Sequence, residues 1–133
     1  MRKYERMIKA ILFDVQGVLY VNGQLNPTLA GFIRERYEEY QFALATSSGA
    51  WIRERLKKDG LATYFDLIVT ADDAGLSKSD PKLYEGIAKR LGVGPAEILF
   101  VDDTEQFIVA AREAGLHAVH YTDPESFLAQ HEH

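Results

Sequence analysis

IKAILFDVQGVL, residues Ile8 to Leu19, opens the chain's interpretable pattern. Ile8, Ala10, Ile11, Leu12 and Phe13 form an almost unbroken apolar run. A run of that kind suits a strand covered on both faces, as in the middle of a parallel sheet. The run stops at Asp14, and Gly17 follows three residues later. An acid at the carboxyl end of a central strand stands where open α/β sheets place their chemistry. The rest of the chain reads as a supply of neighbours for that strand and partners for that acid.

Downstream, apolar runs alternate with helical patterns. Gly17 to Gln24 predicts a small hairpin or flap, with Asn22 and Gly23 as its turn. Asn26 and Pro27 predict a helix start, and Leu29, Phe32, Ile33, Tyr37 and Tyr40 recur at helical spacing. Phe42 to Ala45 predicts the second strand, ending at Thr46, Ser47, Ser48 and Gly49. Trp51, Ile52, Arg55 and Leu56 belong to a helix stopped by Gly60. Leu67 to Val69 is a third strand, followed by a polar loop, Ala71 to Asp80, that holds Lys78. Pro81 to Gly92 frames another helix. Ile98 to Val101 leads into Asp102, Asp103 and Thr104. A helix around Phe107 to Ala111, a strand at Ala118 and Val119, and a last helix from Pro124 to Gln130 complete the pattern. Strand and helix alternate through five units. The expected architecture is one Rossmann-like α/β domain over residues 1–133, three layers deep. Its sheet is mostly parallel and five-stranded, with helices on both faces. Right-handed crossovers put the strands' carboxyl ends on one rim.

Composition narrows the function classes. A chain of 133 residues buries roughly two-thirds of its unfolded surface, enough for one real core. The net charge of -5 argues against nucleic acid or an anionic membrane as the main partner. With no cysteine, disulfides, thiolate catalysis and cysteine zinc sites are excluded. No apolar run reaches transmembrane length, and the start lacks a signal peptide's layout, so the cytoplasm is the expected compartment. The terminal His131 to His133 reads as a frayed end.

Four polar loops follow four strands and carry Asp14 with Gln16, Thr46 with Ser47, Lys78, and Asp102 with Asp103. Three carboxylates on one rim repel unless something compensates them. A hard divalent cation does so, and carboxylate oxygens suit Mg²⁺. Lys78, the hydroxyls and backbone N–H groups at helix starts would face an anion, most simply a phosphate. A carboxylate beside Mg²⁺ and a held phosphoryl group suggests attack on phosphorus, giving an aspartyl-phosphate.

These loops resemble the four motifs of the haloacid dehalogenase-like phosphohydrolases. Asp14-Val15-Gln16-Gly17-Val18-Leu19 is similar to the first, and Leu44-Ala45-Thr46-Ser47-Ser48 to the second. Lys78-Ser79-Asp80-Pro81-Lys82-Leu83-Tyr84 resembles the third, and Phe100-Val101-Asp102-Asp103-Thr104 the fourth. The resemblance covers about residues 8 to 122. It implies that Asp14 is nucleophile and metal ligand, and that Asp103 ligates the metal directly. Asp102 beside it would bond a metal-bound water or Lys78, and the backbone carbonyl of residue 16 would be a further ligand. It implies that Thr46 and the Ser47 amide hold phosphate, and that Lys78 pairs with Asp14 and the phosphate.

Two residues depart from the pattern. Family phosphatases carry an Asp at the position of Gln16, which protonates the leaving oxygen and then activates water. An amide has no titratable proton near neutral pH, and a positioned acid/base is worth on the order of 10²–10⁴ in rate. Slow turnover, a long-lived phospho-enzyme, or use of an activated leaving group are the expected consequences. Phe107 stands where close relatives often carry Asn, so a loop-ordering hydrogen bond is lost. Thirty-two positions separate Asp14 from Thr46, and thirty-two more separate Thr46 from Lys78. Both intervals are filled by the predicted elements, which leaves no room for a cap domain. The open site suits a phosphorylated small molecule or a larger phosphorylated substrate, with a second copy of the chain as an alternative lid. The leading expectation is a Mg²⁺-dependent phosphohydrolase, weak or atypical. The alternative is a regulatory or interaction protein that keeps the metal and phosphate sites without effective catalysis. Asp72 and Asp73 read as solvent-facing or as aids to Lys78, Trp51 and the tyrosines as core or helix-face residues with a gate as the alternative for Tyr20, and His117 and His120 as remote from the rim.

Overall fold

The computed structural model describes residues 8–47 and 49–131, the last two by backbone alone. The polar lead-in of residues 1–6 and the terminal histidine side chains lie outside the described residues. Five strands build the main sheet: β1 (Ala10–Asp14), β4 (Gln41–Thr46), β5 (Leu67–Thr70), β6 (Ile98–Asp102) and β7 (His117–His120). Their order is β5-β4-β1-β6-β7, and all four pairings are parallel. The chain therefore reverses its direction of travel across the sheet beside β1. That is the switch point at which such sheets open a crevice.

Alternation along the strands sorts the core into two layers. Ile11 and Phe13 point with Phe42, Leu44, Leu99 and Val101 toward α1 (Pro27–Arg36), α2 (Ile52–Lys58) and α6 (Pro124–His131). Ala10 and Leu12 point with Ala43, Ala45, Ile98 and Phe100 toward α4 (Pro81–Leu91) and α5 (Glu105–Glu113). Every residue of β1 is buried, which is the physical content of the unbroken apolar run at its origin. No helix among the described residues is long and apolar enough to cross a membrane.

The flap is the predicted hairpin: β2 (Tyr20–Val21) pairs antiparallel with β3 (Gln24–Leu25) around Asn22 and Gly23, both at positive φ. The Asn26 side chain caps α1 by accepting from the backbone N–H groups of Thr28 and Leu29.

Two expectations need correction, and Tyr20 resolves between two readings. Residues 71–80 are not all loop, because Ala71–Ala74 form a one-turn helix, α3. Thr70 caps it by accepting from the Asp73 N–H at 3.1 Å, and Gly75 closes it at φ 70°. The residues Thr70, Asp73 and Gly75 were a legible start and stop signal. Tyr37 does not sit on the buried face of α1. The helix ends at Arg36, and Tyr37 is 51% exposed with its ring edge-on to Tyr64. Tyr20 is no gate. It is buried, its hydroxyl donates to Asp59 Oδ2 at 2.7 Å, and the Arg55 guanidinium lies over its ring.

Candidate active site at the switch point

The central strands β1 and β6 deliver two acids side by side. Asp14 ends β1 and Asp102 ends β6, and the two strands are hydrogen-bonded neighbours. Lys78 reaches between them from the segment that follows α3. Its Nζ donates to Asp14 Oδ1 at 2.6 Å and to Asp102 Oδ2 at 3.1 Å. The lysine side chain is 2% exposed, so this ammonium is held away from water by the charges it bridges. Its backbone is fixed as well, since the Tyr84 hydroxyl of α4 donates to the Lys78 carbonyl at 2.6 Å. The other Asp102 oxygen, Oδ1, accepts from the Thr104 N–H at 2.9 Å. That bond turns the chain at the end of β6 and sends the next residue, Asp103, outward to the rim.

Asp14, Asp102 and Asp103 each bring one carboxylate oxygen within 4.8 Å of the others. Three carboxylates against one ammonium leave two negative charges in a largely buried corner. The consequence shows in the acids' titration. Burial pushes the Asp14 carboxyl up to about 6; Lys78 opposes the rise and Asp102 adds to it. Asp102 is raised too, first by burial, against the pull of Lys78 and the Thr104 N–H. A bound divalent cation would match the two excess charges, and an all-oxygen donor set is the kind that hard cations prefer. The residues therefore fit Mg²⁺.

Above this corner lies a pocket of about 270 Å³ lined by Asp14, Gln16, Thr46, Ser47, Lys78, Asp103, Thr104 and Phe107. Six of the seven residues singled out from sequence thus face one space. Asp102, the seventh, is fully buried beneath it. Thr46 ends β4, next to β1 in the sheet, and Ser47 begins the loop beyond it. Asp72 and Asp73 are exposed, and among the described residues Lys78 forms its ion pairs with Asp14 and Asp102 rather than with them; the Asp72 N–H donates to the Ser47 carbonyl at 3.2 Å. His120 lies opposite Asp102 in register, nearer the rim than alternation suggested, with Nδ1 3.5 Å from Glu105 Oε2.

Sequence reasoning missed three supports. Gly17, at φ 87°, faces the Asp103 carboxylate so closely that a Cβ there would collide with it. Gly49 lets the loop after β4 close down, since a Cβ would meet the Thr46 methyl at 2.8 Å. Phe107 does more than lack an amide. The Lys78 ammonium sits 4.7 Å from its ring centroid, a cation–π contact that makes the ring a wall of the pocket. Glycines one and two residues beyond the site residues were a readable signal for the first two. Nothing local in sequence announces the third.

Comparison with known proteins agrees with this geometry. Fructose-1-phosphate phosphatase YqaB of Escherichia coli is 34% identical over 92 residues, 68% of this chain and 49% of that protein. The phosphorylated carbohydrates phosphatase of Thermotoga maritima is 33% identical over 81 residues, 60% of this chain and 38% of that protein. The chain spans about a third to a half of the length of the curated relatives it matches. A haloacid dehalogenase family enzyme from Bacteroides thetaiotaomicron, solved with magnesium and inorganic phosphate, has the same fold. Its TM-score is 0.75 at 13% identity, over 86% of this chain and 94% of that one. A family model described as haloacid dehalogenase-like hydrolase matches residues 29–121, most of the chain. With the sheet order, the crevice and the matched sequence in agreement, the chain belongs to the haloacid dehalogenase-like hydrolase family.

Proposed function

We propose that the chain is a Mg²⁺-dependent phosphohydrolase in which Asp14 takes the phosphoryl group as an aspartyl-phosphate. The observation that carries this reading is the meeting of Asp14, Asp102, Asp103 and a buried Lys78 under a single pocket. The matched family region begins after the Asp14 motif, and the Lys78 bond to Asp14 ties that motif to the matched part. Asp14 and Asp103 would hold the metal with the backbone carbonyl of Gln16, and Asp102 would hold Lys78. The bound cation would supply positive charge for the phosphoryl oxygens. Lys78 fixes the rotation of the Asp14 carboxylate through Oδ1 and adds charge beside the incoming phosphate. Thr46 and Ser47 would bind the phosphate oxygens from the β4 side. The relatives named for phosphorylated carbohydrates and fructose 1-phosphate support a phosphate monoester as substrate.

Gln16 shapes the chemistry. It is exposed in the pocket wall, where the leaving oxygen would need a proton. Lys78 is committed to two acids, so it does not replace the missing acid. Turnover is therefore weak for alkyl phosphates and better for leaving groups that depart without a proton. Among the described residues, the intervals 15–45 and 47–77 hold the flap, helices, a 3-10 turn (Ala62–Tyr64) and strands, which supports a core without an inserted cap and with an open rim. A large phosphorylated substrate, or a second copy of the chain, would then close the site. Gln16 also favours a second reading, a phosphate- and metal-binding regulatory protein on this scaffold.

Turnover of a chromogenic aryl phosphate with Mg²⁺ tests the choice. Activity in the native chain that disappears in Asp14→Asn supports the enzyme. Activity only in Gln16→Asp supports the regulatory reading. No turnover and no Mg²⁺ binding in either protein would refute both.

A further inference from the structure

Beside the reactive pocket runs a second cavity of about 420 Å³, lined by Ala71, Asp72, Gly75, Leu76 and Ser77 together with Ser47, Lys78 and Phe107. The last three also line the reactive pocket, so the two spaces are continuous across them. The wall is built rather than incidental. The Asp72 N–H donates to the Ser47 carbonyl at 3.2 Å, which ties α3 to the loop that would hold phosphate. Thr70 caps α3, and the Leu76 N–H donates to the Ala71 carbonyl at 3.2 Å, turning the chain back along the groove. On the opposite side Phe107 is held in place by the Lys78 ammonium.

We infer that this groove receives the leaving group of the substrate and selects one with an apolar body that is uncharged or cationic at its far end. The inference rests on the phosphohydrolase reading and names the substrate class of the same site. Leu76, Phe107 and Ala71 offer apolar surface next to the place where the phosphate would sit. Lys78 is already shared between Asp14 and Asp102, so it is not a free cation for the groove. Among the described residues lining the groove, Asp72 is then the one charge without an opposite charge. It attracts an ammonium or a hydroxyl-bearing end and repels a carboxylate or a second phosphate. Asp72 and Leu76 are thus specificity-determining residues, outside the group that performs the chemistry.

Calorimetry with saturating Mg²⁺ tests this, using inorganic phosphate, 4-(aminomethyl)phenylphosphonate and 4-carboxyphenylphosphonate as probes. The native chain should bind the ammonium compound about five-fold more tightly than the carboxylate, the scale of a partly exposed ion pair. Asp72→Asn should erase that preference and Asp72→Lys should reverse it, with phosphate affinity changed far less. Leu76→Ser should weaken both aryl phosphonates, again sparing phosphate. If phosphate binds but the native chain binds both aryl compounds equally, or Asp72→Lys leaves their ratio unchanged, the inference is overturned and the proposed function stands. If phosphate itself does not bind with Mg²⁺ present, the proposed function fails and takes the inference with it.

Discussion

Two buried polar networks lie at the carboxyl end of the sheet, and they differ in one respect. Around Asn26 every group is neutral and answered. Its Nδ2 donates to the Val18 carbonyl at 3.1 Å and to the Tyr121 hydroxyl at 2.8 Å, and its Oδ1 accepts from Thr28 and Leu29 N–H groups. Around Lys78 the geometry is as tight, but one ammonium bridges two acids and a third, Asp103, lies beside them. The first network joins the flap, α1 and the segment after β7 and asks for nothing more. The second holds more acid than its one ammonium balances. Burial alone does not mark a functional site; buried charge left over after all internal pairing does.

Substitutions in the two networks should therefore respond to different variables. The largest effect belongs to Gln16→Asp, which restores a titratable group at the pocket wall. Steady-state kinetics on an alkyl phosphate should show a rise on the order of 10²–10⁴, with little change in thermal stability. Next comes Lys78→Met, which leaves Asp14 and Asp102 facing each other without their bridge. Denaturant unfolding of the metal-free protein should show a loss of about 3–5 kcal/mol, and Mg²⁺ should recover part of it. Asn26→Ala removes a helix cap and strands the Tyr121 hydroxyl and the Val18 carbonyl. It should cost about 2–3 kcal/mol, and Mg²⁺ should recover none of it. Equal magnesium rescue of Lys78→Met and Asn26→Ala would erase the distinction between the two networks.

The smallest effect is at the flap base. Asp59 is held below the usual carboxylate range, first by the Tyr20 hydroxyl and then by Arg55. A depressed folded-state value means stability that is present above the unfolded value and lost as pH falls through the folded one. Tyr20→Phe should cost about 1 kcal/mol at pH 7, and the difference from native should shrink in strongly acidic solution. Urea titrations at both pH values check it.

Much of this was legible because the signals are local. The apolar run into Asp14, the cap at Asn26-Pro27, and the Gly92 stop each declare an element within a few residues, and their alternation fixes the layers. The seven candidate site residues could be placed on one rim because parallel strands put all their carboxyl ends together. What stayed hidden depends on contacts between distant segments. Sequence left Tyr20 between core and gate, and only the approach of Asp59, 39 residues later, shows it pinned. Tyr121 is 95 residues from the amide that binds it. The groove beside the site needs α3, Leu76 and Phe107 brought together. The sequence shows Phe107 as a missing Asn, whereas the fold shows a ring against the Lys78 ammonium.

Titration of Mg²⁺ into the metal-free protein, followed by calorimetry with inorganic phosphate present, puts the charged corner to its sharpest test. One Mg²⁺ should bind per chain, and Asp14→Asn and Asp103→Asn should each abolish that binding, while Asn26→Ala retains it. No magnesium uptake by the native chain, or uptake unchanged in Asp103→Asn, would contradict the reading of Asp14, Asp102, Asp103 and Lys78 as one cation-completed site.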